Sequence, residues 1–173
     1  QRLFATAVKT LTDVTQISSG MFHTCARRST GGMACWGTNG SGQLGAAAAI
    51  KKSAPILGPI NSGVTMVATS GWSTCALMTD GTVRCFGRNA AGELGDGSFD
   101  DRSVPAPIAG LDGVTHISGG IAHFCARLVN GQVACWGNNA NRQLGDNTTT
   151  NRPYPVLVAG LTNVVRVAAG SDH

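Results

Sequence analysis

Apolar and polar positions alternate with a period of two along short stretches of this chain, and glycines punctuate the stretches. In the best-defined region, residues 64–69 are predicted to form one strand, 72–78 a second and 82–87 a third. A shorter fourth strand is predicted over 104–108, where Pro105 and Pro107 suit an outer edge because proline donates no backbone hydrogen bond. Only residues 46–50 have helical composition, and that run is too short to nucleate a helix.

The strands belong to a repeating unit. Cys25, Cys75 and Cys125 lie 50 residues apart, as do Cys35, Cys85 and Cys135. The same offset relates Trp36-Gly37, Phe86-Gly87 and Trp136-Gly137, and then Gln43-Leu44-Gly45, Glu93-Leu94-Gly95 and Gln143-Leu144-Gly145. No insertion interrupts it. Residues 1–17 align at an offset of 150 with residues 151–167, sharing Arg2/Arg152, Val8/Val158, Leu11/Leu161 and Val14/Val164. Residues 1–17 therefore read as the end of one repeat and the start of the next, and His173 is the counterpart of His23 and His123. Four short antiparallel strands per unit make a β-propeller blade, so the fold class is all-β.

The string His23-Thr24-Cys25-Ala26, the turns Asp80-Gly81 and Asn130-Gly131, Cys135-Trp136-Gly137, Asn139 and Gln143-Leu144-Gly145-Asp146 carry a family likeness. They resemble RCC1-type repeats, in the cysteine-containing form found in bacterial exported proteins. The resemblance covers essentially the whole chain. It implies one blade per repeat and a ring of seven when complete, of which 1–173 would form a single partial domain of about three and a half blades. A three-bladed arc would leave apolar faces and strand edges in water, so additional repeats of the same chain, or a second copy, are expected to close the ring.

All six cysteines sit at repeating positions. Cys75 and Cys85 flank Thr79-Asp80-Gly81, and a type I turn with a left-handed Gly bulge places residues 78 and 82 opposite each other. Counting outward sets Cys75 across from Cys85; a two-residue Asp-Gly turn would shift the register by one and misalign them. The expected bridges are Cys25–Cys35, Cys75–Cys85 and Cys125–Cys135, which favour an extracellular, periplasmic or cell-surface location. Zinc is the rival reading. Each unit offers one Cys-x9-Cys pair and a nearby His rather than close double pairs, which argues against it.

His23, His123 and His173 share a position filled by Ser73 in the second unit. Converging on a ring axis they would form an anion or metal site; the simpler expectation is a residue that fixes the Gly-rich turn by hydrogen bonding, which serine can replace. Trp36, Phe86 and Trp136 are expected to be buried between blades, whereas Trp72, unique to its repeat, is expected to be more exposed on a face. The segments 46–52, 96–102 and 146–152 vary most. They supply the remaining interaction candidates, Phe99, Asp100, Asp101, Arg102 and Asn147, together with Arg142 just before the third. The oxygen-rich runs 96–101 and 146–150 lack EF-hand spacing and read as polar loops. Asn39-Gly40-Ser41 and Asn147-Thr148-Thr149 are glycosylation sequons, meaningful only in a chain exported by a eukaryote.

Composition limits the functions further. The 173 residues are 42% apolar and 13% charged with 24 glycines, which fits a packed chain of short strands and excludes disorder. The net charge of +4 is scattered, with no basic tail, so no nucleic-acid partner is expected. No apolar run approaches the roughly 18–20 residues of a membrane-spanning helix. Neither Gly-x-Ser-x-Gly, His-Glu-x-x-His, a P-loop nor a dinucleotide fingerprint occurs, leaving catalysis and cofactors no residues to rest on. The expected function is a non-catalytic, secreted or periplasmic interaction module whose rigid ring presents variable loops to a protein partner. The alternatives are a structural subunit of an extracellular assembly, an inhibitor of a secreted hydrolase and, least favoured because of the disulfides, a small-GTPase exchange factor or chromatin binder.

Overall fold

A computed structural model describes residues 7–8, 10–47 and 51–173. Residues 1–6 and 9 of the 1–17 alignment, and residues 48–50 at the end of the alanine run, thus lie outside the described residues. Twelve strands form three sheets. The first is β1 (Val14–Ser19), β2 (His23–Arg28), β3 (Met33–Gly37) and β4 (Lys52–Leu57). The second is β5 (Val64–Thr69), β6 (Ser73–Met78), β7 (Val83–Gly87) and β8 (Arg102–Pro107). The third is β9 (Val114–Gly119), β10 (His123–Leu128), β11 (Val133–Gly137) and β12 (Arg152–Leu157). Each sheet is an antiparallel meander in sequence order, which is the expected blade.

Four boundaries of the second blade differ from the sequence reading, two of them by one residue where the third strand begins at Val83 and the fourth ends at Pro107. The fourth strand of the second blade begins at Arg102 rather than 104, because Arg102 pairs with Gly87 across a register break. The second begins at Ser73, leaving Trp72 in the turn.

The hairpin register is the bulged one. Gly81 N–H donates to the Met78 carbonyl at 3.0 Å and Met78 N–H to the Thr82 carbonyl at 2.9 Å, with Gly81 at φ 79°, a left-handed conformation suited to glycine. Cys75 therefore faces Cys85, and the same count pairs Cys25 with Cys35 and Cys125 with Cys135. Each pair occupies a non-hydrogen-bonded site of the ladder, where strands approach most closely, and the Cα atoms are 4.1–4.2 Å apart. All three bridges form.

The core lies in the seams between blades. Strand alternation turns the cystines toward the following blade and the adjacent aromatic toward the preceding one. Cys25, Cys35 and Leu44 thus pack on Val67, Ala76 and Phe86. Cys75, Cys85 and Leu94 pack on Ile117, Phe124 and Trp136. Phe86 and Trp136 are fully buried, as expected. Trp36 is only half-buried, because among the described residues no blade lies behind it; Ile17, on the same open side, is 60% exposed.

Hydrogen bonding specifies each seam. In the first, Thr74 Oγ1 donates to the Gln43 carbonyl at 2.9 Å and lies 2.9 Å from His23 Nε2. The threonine hydroxyl has one proton, so His23 must donate through Nε2 and carries no proton on Nδ1. In the second seam Ser73 replaces the histidine and Phe124 replaces the threonine. The Glu93 carbonyl then receives its hydrogen bond from Trp136 Nε1 at 2.8 Å, where the first seam has Phe86 and no such donor. The triplets His23/Thr74/Phe86 and Ser73/Phe124/Trp136 are alternative solutions to one packing problem. This corrects the expectation that His23 fixes its own turn: it ties two blades together, while Ser73 Oγ bonds the Arg88 carbonyl of its own blade.

Thr74→Val should destabilise the fold by about 1–3 kcal/mol, since it leaves two buried polar groups unpaired. The triple replacement His23→Ser/Thr74→Phe/Phe86→Trp, which copies the second seam, should recover most of that loss in urea unfolding. Burial also lowers His23 from 6.5 to about 4. Between those values the unfolded chain binds a proton that the folded chain does not, so stability is lost as pH falls through this window. The His23 share amounts to about 3 kcal/mol at most. His23→Ser should flatten the dependence of the urea midpoint on pH between 4 and 6.5.

Candidate interaction face

Because each blade runs as an up-and-down meander, one end of the strands gathers the β1–β2, β5–β6 and β9–β10 turns together with the long loops after β3, β7 and β11. The short hairpins and the interblade linkers occupy the opposite end. Backbone bonds join the turns of successive repeats: Met21 N–H donates to Gly71 O at 3.2 Å, Gly71 N–H to Ile121 O at 2.8 Å and Ile121 N–H to Ser171 O at 2.8 Å. Side chains at these positions are thus free to vary while the loop face stays level.

A buried asparagine holds each loop. Asn89 Oδ1 accepts from Leu94 N–H at 2.8 Å, while Nδ2 donates to Asp96 Oδ1 at 3.3 Å and to the Ser98 carbonyl at 3.0 Å. Asn139 repeats the arrangement with Leu144, Asp146 and Thr148. Asn39 lacks an acidic partner and donates instead to the carbonyls of Ala46 and Ala47. Asp96 and Asp146 are closed off further by Arg102 at 2.8 Å and Arg152 at 2.6 Å. Burial alone would raise the Asp146 carboxyl, but hydrogen bonds from Thr148, Arg152 and Asn139 outweigh it and hold the group well below the usual carboxylate range. These acids close loops. Among the described residues no three His, Cys, Asp or Glu side chains are grouped to hold a metal ion.

The sequence candidates separate into two kinds. Arg102 and Asp101 are occupied within the loop, Asp101 accepting from Asn89 N–H at 2.8 Å. Phe99, Asp100, Arg142 and Asn147 are exposed on the loop face, Phe99 at 53%. Arg142 and Asn147 both adopt left-handed backbone at φ 63° and 61°. Trp72 is half-buried, more exposed than Phe86 and Trp136, and two neighbours cover part of its ring. The Phe22 ring, itself 56% exposed, lies 6.3 Å away at a 48° tilt, and the Arg88 guanidinium carbon sits 5.0 Å from the Trp72 centroid. Met21 adds further exposed apolar surface beside them. Phe22 and Arg88 escaped the sequence reading. The signal was present for Phe22, which holds the Trp72 position one repeat earlier, so adjacent blades bring the two rings together.

His23 and Thr74 make no catalytic pair. A base that activates a hydroxyl must accept its proton, whereas His23 donates to Thr74 and the hydroxyl proton goes to a carbonyl. Among the described residues no helix is long and apolar enough to cross a membrane.

The pattern described as the regulator of chromosome condensation (RCC1) repeat matches residues 80–127 and 130–173, and a second pattern for the same repeat matches 14–43, 64–93 and 114–143. The chain belongs to the RCC1 repeat family. Its blades superpose on human WBSCR16 with a TM-score of 0.82 at 25% identity, over 92% of this chain and 43% of that one. Prp20p from Saccharomyces cerevisiae gives 0.84 at 20% identity over 94% and 43%, and yeast RCC1 (Prp20) in its structure with Kap60 gives 0.78 at 20% over 87% and 38%. At 20% identity the yeast structures establish the RCC1 fold alone. The chain spans less than half the length of these solved structures. No curated protein matches it in sequence.

Asn89→Ala should release the loop 96–101, costing about 1–3 kcal/mol from the unpaired groups it leaves. Faster amide exchange confined to that loop and to Leu94, with the strands unchanged, is the expected result.

Proposed function

We propose that this chain is a non-catalytic interaction module that uses its loop face to hold a partner protein. The observation that carries this reading is the Phe22–Trp72–Arg88 group. Large aromatic side chains stand partly in solvent at turn positions where the third repeat has Ala122, so the blade does not require them. The structures of Prp20p with its binding properties to Gsp1p and histones, and of yeast RCC1 bound to Kap60, support the use of such a scaffold for protein partners. They do not supply the partner's identity.

The bridges Cys25–Cys35, Cys75–Cys85 and Cys125–Cys135 support work in an oxidising compartment: extracellular, periplasmic or on the cell surface. The immobilised chain, exposed to the extracellular or periplasmic material of its source, should retain a protein that Phe22→Ala/Trp72→Ala/Arg88→Ala does not. Equal retention by the triple variant, or none by the parent chain, would refute the loop-face reading. Alkylation of the native protein should find no free thiols; six free thiols would refute the compartment.

A further inference from the structure

At the end of the strands opposite the loops, between the first and second blades, lies a groove of about 510 Å³ lined by the linker residues 59–63, Asn61 and Ser62 among them, and by Met78, Arg84, Val104 and Pro105. Arg84 Nε is buried there without a hydrogen-bond partner. Among the described residues the guanidinium makes neither a hydrogen bond nor an ion pair. Asp80, the acid that feels its charge, is engaged instead with Thr82 N–H at 2.9 Å and the Thr82 hydroxyl at 2.7 Å.

The repeat supplies an internal control. Ala34 and Ala134 fill the Arg84 position in the sister blades, both buried, so the strand does not require a cation there. Arg84 is half-buried, with its Nε enclosed and unpaired, and a cation kept where alanine suffices and no acid of its own chain pairs with it offers a partner to an incoming anion. We propose that this groove binds an acidic side chain of a partner polypeptide, seating the carboxylate on the Arg84 guanidinium and the flanking peptide on the mixed groove walls.

The chemistry favours that occupant. The planar guanidinium matches a carboxylate in a two-point bond, and the mixed walls, apolar at Pro59, Ile60 and Met78 and polar at Asn61 and Ser62, suit a peptide that brings apolar side chains and backbone amides beside its acid. Strand addition is disfavoured, because Pro105 and Pro107 remove two donors from the outermost strand β8. The proposal goes beyond the loop-face reading and does not depend on it, since Trp72 and Arg84 lie at opposite ends of the strands.

The test is titration of the ¹⁵N-labelled full chain with the acetylated, amidated peptide Leu-Glu-Leu, beside its Leu-Gln-Leu counterpart. The Arg84 Nε–H signal should shift with the acidic peptide, and affinity should fall at least about tenfold for the glutamine peptide and for Arg84→Ala, the loss of one charged hydrogen bond. Arg84→Lys, which keeps the charge, should retain part of the binding, and Trp72→Ala should bind as the parent does. Equal binding of the two peptides, unchanged affinity in Arg84→Ala, or no movement of the Arg84 signal up to about 10 mM peptide would overturn the proposal. The first and third readings use the unaltered protein, so they decide the matter even if a substitution disturbs folding.

Discussion

A peptide carbonyl sealed between two blades must receive a hydrogen bond, and the seams are arranged around that requirement. At Gln43 the donor is the Thr74 hydroxyl, which leaves room for a phenylalanine at position 86 and obliges His23 to donate rather than accept. At Glu93 the donor is the Trp136 indole, which removes the need for a hydroxyl and lets Phe124 fill the space and stack on Trp136 at 5.9 Å. The apolar contents of each seam follow from which group serves the carbonyl. Hydrophobic burial supplies the bulk of the attraction, but the unpaired carbonyl sets the penalty for choosing the wrong trio.

Much of the blade was legible because it is written in local spacing. Cys75, Cys85 and the turn between them lie within one hairpin, so alternation and turn chemistry fix their pairing without any long-range contact. The start of β8 was not legible, because Arg102 is held by pairing to Gly87 across a register break that no local pattern encodes. The seam exchange was equally hidden. Residues 43 and 74, or 93 and 136, meet only once the blades stack, and a column of Trp, Phe and Trp reads as simple conservation of bulk. For the loop face, the unusual status of Trp72 was visible, but its Arg88 partner was not. Arg102 and Asp101 looked available in sequence and are consumed by their own loop.

Variation among the repeats therefore has two meanings here. Where a change at one position is answered by changes at its contacts, as from His23 to Ser73, the difference preserves the stack. Where it is unanswered, as from Ala34 to Arg84, the residue is left with charge that its own chain does not pair. The change from Ala122 to Trp72 lies between the two: Arg88, where the third repeat has Asn138, covers part of the ring, and part remains in solvent.

Each disulfide closes a hairpin within a blade, and no covalent link crosses a seam. Under mechanical tension along the backbone the two kinds of contact give way separately. Seams, held by packing and hydrogen bonds alone, can part without breaking a covalent bond, and the chain then pays out the segments that lie between staples, such as the stretch from Cys35 to Cys75. The segment inside each staple adds no length until its sulfur–sulfur bond is reduced. The stack of blades is thus a string of locked beads on extensible cord, whose reach under load depends on the redox state of its surroundings.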